Sequence, residues 1–119
     1  MSNAVGDAWT DDQDHPIPFV NHLDVFAKWE DGTRWLSIVV ANPLDGSEYS
    51  QKRLLNKIQN YIAYLGTDEY VAENGNPSSE LVFIVVKIHK ESSPLIFELL
   101  GKCEYWVNSG FASLVVEQF

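Results

Sequence analysis

An almost unbroken apolar run at residues 81–88 is the feature that most constrains the fold of this chain. It reads Leu-Val-Phe-Ile-Val-Val-Lys-Ile, so both of its alternating sides are apolar and most of its side chains are β-branched. A run of this kind is typical of a strand buried on both faces, in the middle of a sheet that includes parallel pairing. Parallel strands need long crossover connections, which are usually helices. The run therefore predicts a sheet with helices packed against it.

Two further strands are predicted before this run. Between His22 and Trp29 the residues alternate with a period of two, which predicts a half-buried strand. Its apolar set is Leu23, Val25, Ala27 and Trp29, against His22, Asp24, Phe26 and Lys28 on the other side. The Asp31-Gly32 pair suits a tight hairpin turn, and residues 34–41 then form a second strand rich in β-branched side chains. The two strands are expected to pair antiparallel.

A helix is predicted after the second strand. Pro43 ends that strand, Asp45 and Glu48 have the spacing of a capping box, and Gly66 stands where a C-terminal cap belongs. The helix should begin at about Gly46. The apolar residues at helical spacing are Leu54, Leu55, Ile58, Tyr61, Ile62 and Leu65. The polar residues expected on its solvent surface are Lys52, Arg53, Asn56, Lys57, Gln59 and Asn60.

A second helix and a last strand complete the predicted elements. Ser93 and Pro94 suit an N-cap and a first helical position, and Gly110 closes the helix. Its apolar stripe consists of Ile96, Leu99, Leu100, Cys103, Trp106 and Val107. A short strand begins at Leu114. Residues 67–79 end in a series of turn-forming residues and are predicted to form an acidic connection.

The element order is ββαβαβ, which predicts the fold class. Right-handed crossovers make the last three strands parallel and place both helices on one face of the sheet. We therefore predict an α/β fold of the two-layer α+β kind, with a four-stranded mixed sheet and two helices on one face. The other face is apolar as well, so we expect it to be covered by the N-terminal tail with Trp9, by a second copy of the chain, or by a partner.

Length and charge limit the organisation and the partners. The 119 residues fit one domain at residues 19–119, preceded by an acidic flexible tail at residues 1–18 that contains Asp7, Asp11, Asp12 and Asp14. No signal peptide or membrane-spanning run is visible, which predicts a cytoplasmic protein. The net charge of −9 disfavours nucleic acid and anionic membranes and favours a basic protein partner.

No pattern in the sequence names a reaction, a metal or a cofactor. Phosphate-binding glycine loops are absent from the sequence, and Asp24, Glu80 and Lys87 lack the spacing of a metal-dependent nuclease. His15, His22 and His89 are too isolated to suggest a zinc site. Cys103 lies on the apolar stripe of the second helix, which predicts a neutral core thiol. We therefore predict a protein that is not an enzyme and needs no cofactor or metal.

The acidic segments are the predicted partner-binding residues. Asp68, Glu69 and Glu73 flank Tyr70, so an aromatic anchor stands among acids that select a basic partner. Glu30 and Asp31 in the hairpin turn add to this set. A solvated loop is the alternative interpretation of the segment. Trp29 and Trp35 on either side of the turn are predicted to pack in the core.

The region from Ile38 through the first helix resembles small bacterial ββαβαβ proteins that are classed as a domain of unknown function. The matching residues are Asp45 at the helix start and Leu54, Lys57, Ile58 and Tyr61 in a Leu-x-x-Lys-Ile-x-x-Tyr pattern, while Asn42 stands where that family often has Asp. Such proteins occur in toxin and immunity gene clusters, and the resemblance carries over no catalytic residues.

The resemblance implies an immunity protein that neutralises a basic toxin through an acidic surface. The alternatives left open are a small-ligand protein or enzyme with a pocket at the carboxyl ends of the parallel strands, near Asn42, His89 and Lys90, and a homodimer whose apolar faces cover each other.

Overall fold

The structure, a computed structural model, describes residues 8–119 and has a four-stranded mixed sheet at its centre. The strands are β1 (Val25–Lys28), β2 (Arg34–Val40), β3 (Val82–Ile88) and β4 (Ser113–Gln118). They lie in the order β1-β2-β3-β4, with β1 and β2 antiparallel and the other two pairs parallel. The predicted sheet is confirmed, including the central position of the apolar run in β3.

Three helices connect the parallel strands. They are α1 (Glu48–Leu65), α2 (Asp68–Asn74) and α3 (Pro94–Ser109). The prediction of helices on one face is confirmed, and α2 is an additional short helix where an irregular connection was expected. Thr67 caps α2 by accepting a hydrogen bond from the Tyr70 backbone N–H, and Tyr70 itself is 1% exposed. The cap and the buried ring explain why seven mostly polar residues form a helix here.

The helix ends differ from the predictions in one detail. Ser47, not Asp45, is the N-cap of α1, and its hydroxyl accepts from the Ser50 backbone N–H. Asp45 supports the cap instead, because its Oδ1 accepts from the hydroxyls of Ser47 and Ser50, both at 2.6 Å. Ser93 caps α3 with Pro94 in its first turn, as predicted.

Gly110 ends α3 as predicted, and packing explains the glycine. A Cβ at this position would lie 2.6 Å from Cγ2 of Ile62, so only glycine permits this approach between α1 and the end of α3. The backbone of Gly110 has a negative φ, and the left-handed residue is the next one, Phe111, with a φ of 68°.

The core lies between the helices and one face of the sheet. The strands contribute Leu36, Ile38, Val40, Val82, Ile84, Val86 and Ile88, and the helices contribute Leu54, Ile58, Tyr61, Leu65, Tyr70, Ile96, Leu100, Cys103 and Val107. Phe26 of β1 points to this same side, where its ring stacks on Tyr70 with the ring centroids 6.2 Å apart. The core therefore extends from β1 to α3 on the helix side of the sheet.

The orientation of β1 is opposite to the predicted one. Phe26 faces the core, whereas Leu23, Val25 and Trp29 are 36%, 48% and 47% exposed. A period of two identifies a strand but does not say which side the helices cover. The prediction for Trp29 and Trp35 was also wrong, because both lie on the side of the sheet without helices.

The N-terminal segment, residues 8–20, packs against α1, whereas the sequence predicted a flexible tail through residue 18. Ala8, Ile17 and Val20 are at most 5% exposed and belong to the buried interior. The segment presents backbone carbonyls to polar side chains of α1, so its polar composition does not prevent it from packing. Asp7 lies outside the described residues.

Two of the three basic residues expected on the surface of α1 are buried under this segment, whereas Lys52 is exposed as predicted. Arg53 is 0% and Lys57 2% exposed. Arg53 donates to the carbonyls of Ile17, Pro18 and Thr10, and Lys57 donates to the carbonyl of Phe19. Backbone carbonyls satisfy these cations in place of water, which explains why the helix period assigned them to the wrong environment.

Candidate protein-binding surface

The side of the sheet opposite the helices presents three rows of side chains. From the strand register, the rows are Ala27-Trp35-Phe83-Ser113, Val25-Ser37-Val85-Val115 and Val39-Lys87-Glu117. We call these residues together with Trp29 the helix-free face. Only its centre, Ser37 and Val85, is shielded from solvent. None of the three helices covers this face, which is mostly apolar and carries Lys87 and Glu117 at one end.

Aromatic rings concentrate at one end of the helix-free face. The ring centroids of Trp29 and Trp35 lie 5.6 Å apart, and those of Trp35 and Phe83 lie 6.0 Å apart. Trp29 is 47% exposed, and the other two rings are half-buried. Tryptophan offers a large contact area with few rotatable bonds, which favours it as an anchor in protein interfaces.

The hairpin turn borders this aromatic end with two of the predicted acids. Glu30 and Asp31 follow Trp29 directly and are exposed. The turn is held by the Thr33 carbonyl, which accepts from the Trp29 N–H, and by Gly32, whose φ of 96° suits glycine. The backbone N–H of Thr33 donates to Asp31 Oδ1 and holds the pKa of this carboxyl below its usual value. The carboxylate therefore stays charged at the tip of the turn.

Of the predicted acids in α2, Glu73 contacts the hairpin. Glu73 lies 3.8 Å from the Lys28 ammonium group, and Arg34 donates to the side chain of Asn74 at 3.0 Å. The structure thus brings Glu73 to the base of the hairpin that carries Glu30 and Asp31, at the amino ends of β2 and β3. Asp68 and Glu69 lie at the other end of α2 and are exposed. They form an acidic extension rather than part of the same cluster.

Tyr70 does not have the predicted role of an exposed anchor. Its ring is 1% exposed and packs against Phe26 and Tyr64. Burial raises the pKa of its hydroxyl, as expected for a ring in the core. The aromatic side chains that can meet a partner are instead Trp29, Trp35 and Phe83.

The burial of two cations makes the surface more acidic than the composition shows. Arg53 and Lys57 are two of the eight basic residues, and neither is exposed. Lys52 remains on the surface of α1 and pairs with Glu48 at 2.8 Å. The exposed side of α1 therefore adds little positive potential to a predominantly negative surface.

The carboxyl ends of the parallel strands are closed by the chain itself. His89 accepts the backbone N–H of Glu91 at Nδ1, and its ring meets the ring of Phe119 edge-on at 5.8 Å. Leu44 is buried in this region, where its backbone N–H donates to the Ser92 hydroxyl oxygen and its carbonyl accepts from the Ser93 N–H. Three cavities lie elsewhere, beside Tyr61 of α1, between α3 and β4, and beside Gly66. These contacts disfavour the alternative of a ligand pocket here.

The remaining chemical candidates are dispersed. Among residues 8–119 no three His, Cys, Asp or Glu side chains are arranged to hold a metal ion. Asp24 binds Lys57 and the Val39 N–H at one end of the sheet, whereas Glu80 precedes β3 at the other. Cys103 is 4% exposed, and burial raises the pKa of its thiol. No helix within the described range is long and apolar enough to cross a membrane.

No protein-family model, curated protein or solved structure matches this chain. The resemblance to small bacterial ββαβαβ proteins therefore stays a prediction, and the candidate surface rests on the geometry of the chain alone.

The sequence predicted an apolar face without helices but did not identify Trp35, Phe83 and Val115 as its members. The available signal was the apolar character of both sides of residues 81–88, combined with helices predicted on only one side. Those two observations require an apolar face without helices, and the β3 register then identifies its members.

Proposed function

We propose that this protein is a non-catalytic binding protein whose helix-free face contacts a basic protein partner. The observation that carries the proposal is the aromatic group Trp29, Trp35 and Phe83 on a sheet face without helices. Exposed apolar patches with polar borders are typical of protein interaction sites. Glu30 and Asp31 of the hairpin turn follow Trp29 directly and supply acids at that border.

In its most concrete form the partner is a toxin and this chain is the immunity protein that covers it. The strong acidity, the small size and the absence of a reaction pattern support this form, together with the resemblance of the α1 region. Negative potential around the surface would speed association with a basic protein, and the aromatic side chains would supply most of the affinity once water is excluded.

The two groups of residues have different roles in this proposal. Trp29, Trp35 and Phe83 form contacts, so their removal should speed dissociation at every salt concentration. Asp68 and Glu69 act at longer range, so their neutralisation should slow association mainly at low salt. Tyr70 supports the fold from within.

Affinity capture with matched variants tests the proposal. The wild-type chain, Trp29→Ala and the control Tyr105→Ala are used at low salt, since Tyr105 is an exposed aromatic residue of α3 outside the helix-free face. We expect the wild type and Tyr105→Ala to retain the same basic protein and Trp29→Ala to lose it. Purified partner should then lose its toxic activity on binding the wild type.

Two results would contradict the proposal. One is a partner that Trp29→Ala retains as well as the wild type does. The other is a chain that binds only itself, which sedimentation at several concentrations would reveal as a homodimer.

A further inference from the structure

The outer edge of β4 and the groove between β4 and α3 form a second surface with unused binding capacity. β4 is the last strand of the sheet, so one side of its backbone faces away from β3. Phe119 directs its N–H and C=O toward β3, to Ile88 and Lys90. Along a strand, the backbone N–H and C=O groups of successive residues point to opposite sides. Since Phe119 points toward β3, the backbone groups of Leu114, Val116 and Gln118 point outward.

These outward groups have no hydrogen-bond partner among residues 8–119. An extended segment placed beside β4 would pair with them as a fifth strand. Such strand addition obtains affinity from backbone hydrogen bonds and specificity from pockets that accept alternate side chains. The Leu114 and Val116 side chains lie on the helix side, so a pocket for the added strand should be found there.

A cavity of about 280 Å³ lies at that place. It is lined by Leu114 and Val116 of β4 and by Phe97, Leu100, Gly101 and Glu104 of α3. Val116 is 39% exposed, which shows that the groove is open to solvent at the strand edge. An apolar side chain from an added strand would enter between β4 and α3.

Gly101 is the independent observation that distinguishes this groove from an ordinary surface depression. It lies in the interior of α3, where glycine weakens a helix relative to alanine. A Cβ at this position would meet no atom within 4 Å, so packing within the chain does not require glycine. Its missing side chain leaves the helix wall of the groove open.

The charges around the groove select the occupant. Glu104 lines the cavity on the helix side of the sheet, whereas the side chain of Glu117 lies on the opposite side of β4, and neither forms an ion pair with a described residue. A strand whose apolar side chains enter the groove directs its alternate side chains to that opposite side, where a lysine or arginine would meet Glu117. A second copy of this chain would instead bring its own net charge of −9.

We propose that β4 and the α3 groove bind an extended peptide segment of a partner protein, with apolar side chains alternating with basic ones. The β4 edge and the groove do not include the aromatic group Trp29, Trp35 and Phe83, so they can bind a peptide whether or not the proposed function holds.

The test uses the full chain and a defined probe, the peptide acetyl-Lys-Leu-Lys-Val-Lys-Leu-Lys-amide. Residue-resolved hydrogen exchange should show that the amides of Leu114 and Val116 slow roughly tenfold or more when the peptide binds. The Val115 amide already faces β3 and should change less. A peptide with Glu in place of each Lys should give no protection.

Two substitutions in α3 localise the binding site. Gly101→Leu should fill the groove and weaken peptide binding roughly tenfold or more, while Gly101→Ala should bind within about threefold of the wild type. Circular dichroism checks that both variants fold.

Unchanged exchange at Leu114 and Val116 would overturn the proposal even if Gly101→Leu failed to fold. Equal protection by the Glu peptide would do the same. Protection that appears without peptide and grows with protein concentration would assign the edge to a second copy of the chain, which also overturns the proposal.

Discussion

At the scale of single residues, Arg53 is the clearest case of a side chain whose environment contradicts its chemistry. Its guanidinium group is 0% exposed and donates to the backbone carbonyls of Thr10, Ile17 and Pro18. Replacement by methionine would leave these carbonyls without their donors. We expect Arg53→Met to lower the free energy of unfolding by roughly 3 kcal/mol or more.

Urea unfolding measures this effect, with Lys52→Met as the matched control. Lys52 is the preceding basic residue, it is exposed, and its ion pair with Glu48 lies on the surface. Its loss should cost about 0.5 kcal/mol or less. A loss below about 1 kcal/mol in Arg53→Met would show that the N-terminal segment does not depend on this residue.

Phe111 has a strained backbone, because it is a phenylalanine in the left-handed region with a φ of 68°. Glycine adopts this conformation freely, whereas a β-branched residue is strongly disfavoured there. We expect Phe111→Gly to be more stable than Phe111→Val by roughly 1 to 2 kcal/mol, although valine keeps more apolar surface. Thermal unfolding of both variants checks the order, and a more stable Phe111→Val would contradict it.

At the scale of elements, the sequence correctly predicted the features that local residue patterns determine. The ends of α3, the central β3 and the crossover order follow from caps, β-branched runs and connection length, and all three are confirmed. The side of β1 that meets the core was wrong, because Phe26 finds its partner in Tyr70, 44 positions later in the chain. Only tertiary contacts determine such an outcome.

The same reason explains the N-terminal segment and much of the candidate site. Residues 8–20 lack an apolar period, and they pack because Arg53 and Lys57 bind their carbonyls. Glu30, Asp31 and Glu73 were predictable as acids, whereas the approach of Glu73 to Lys28 at the hairpin depends on how α2 packs. Composition therefore identified the charged residues, while the fold identified the aromatic residues beside them.

His15 connects the N-terminal segment to α1 and makes this contact sensitive to pH. Its Nδ1 accepts the Ile17 N–H, and its Nε2 lies 2.8 Å from the Ser50 hydroxyl. Burial, followed by the nearby Arg53 charge, lowers the pKa of His15 from its usual 6.5, although Asp12 and Asp45 oppose this shift. The unfolded chain therefore binds the proton more readily, so stability is lost as the pH falls below about 6.5.

A His15→Gln variant isolates this contribution in urea unfolding at about pH 7.5 and about pH 5.5. The wild type should lose more stability than the variant between the two values, because the variant has no proton to bind at this position. His22 and His89 are present in both proteins and serve as an internal control. An equal loss in both proteins would contradict the assignment.

At the scale of the whole molecule, the two sides of the sheet differ. One side of the sheet carries the helices and the core, and the other carries the aromatic group at the acidic hairpin. The buried Arg53 and Lys57 remove positive charge from the surface, which leaves the acids of α2 and the hairpin to shape the field. This arrangement supports the proposal that the helix-free face binds a basic partner.

The most direct test of this account measures the Kd between the purified partner and the wild-type chain or either of two variants. Each Kd is measured at about 50 mM and about 500 mM salt. Val25→Lys adds a positive charge to the exposed edge of the helix-free face, while Asp68→Asn with Glu69→Gln neutralises α2. We predict that Val25→Lys weakens binding roughly tenfold or more at both salt concentrations and that the α2 variant weakens it only at low salt. Wild-type affinity in Val25→Lys would contradict the account.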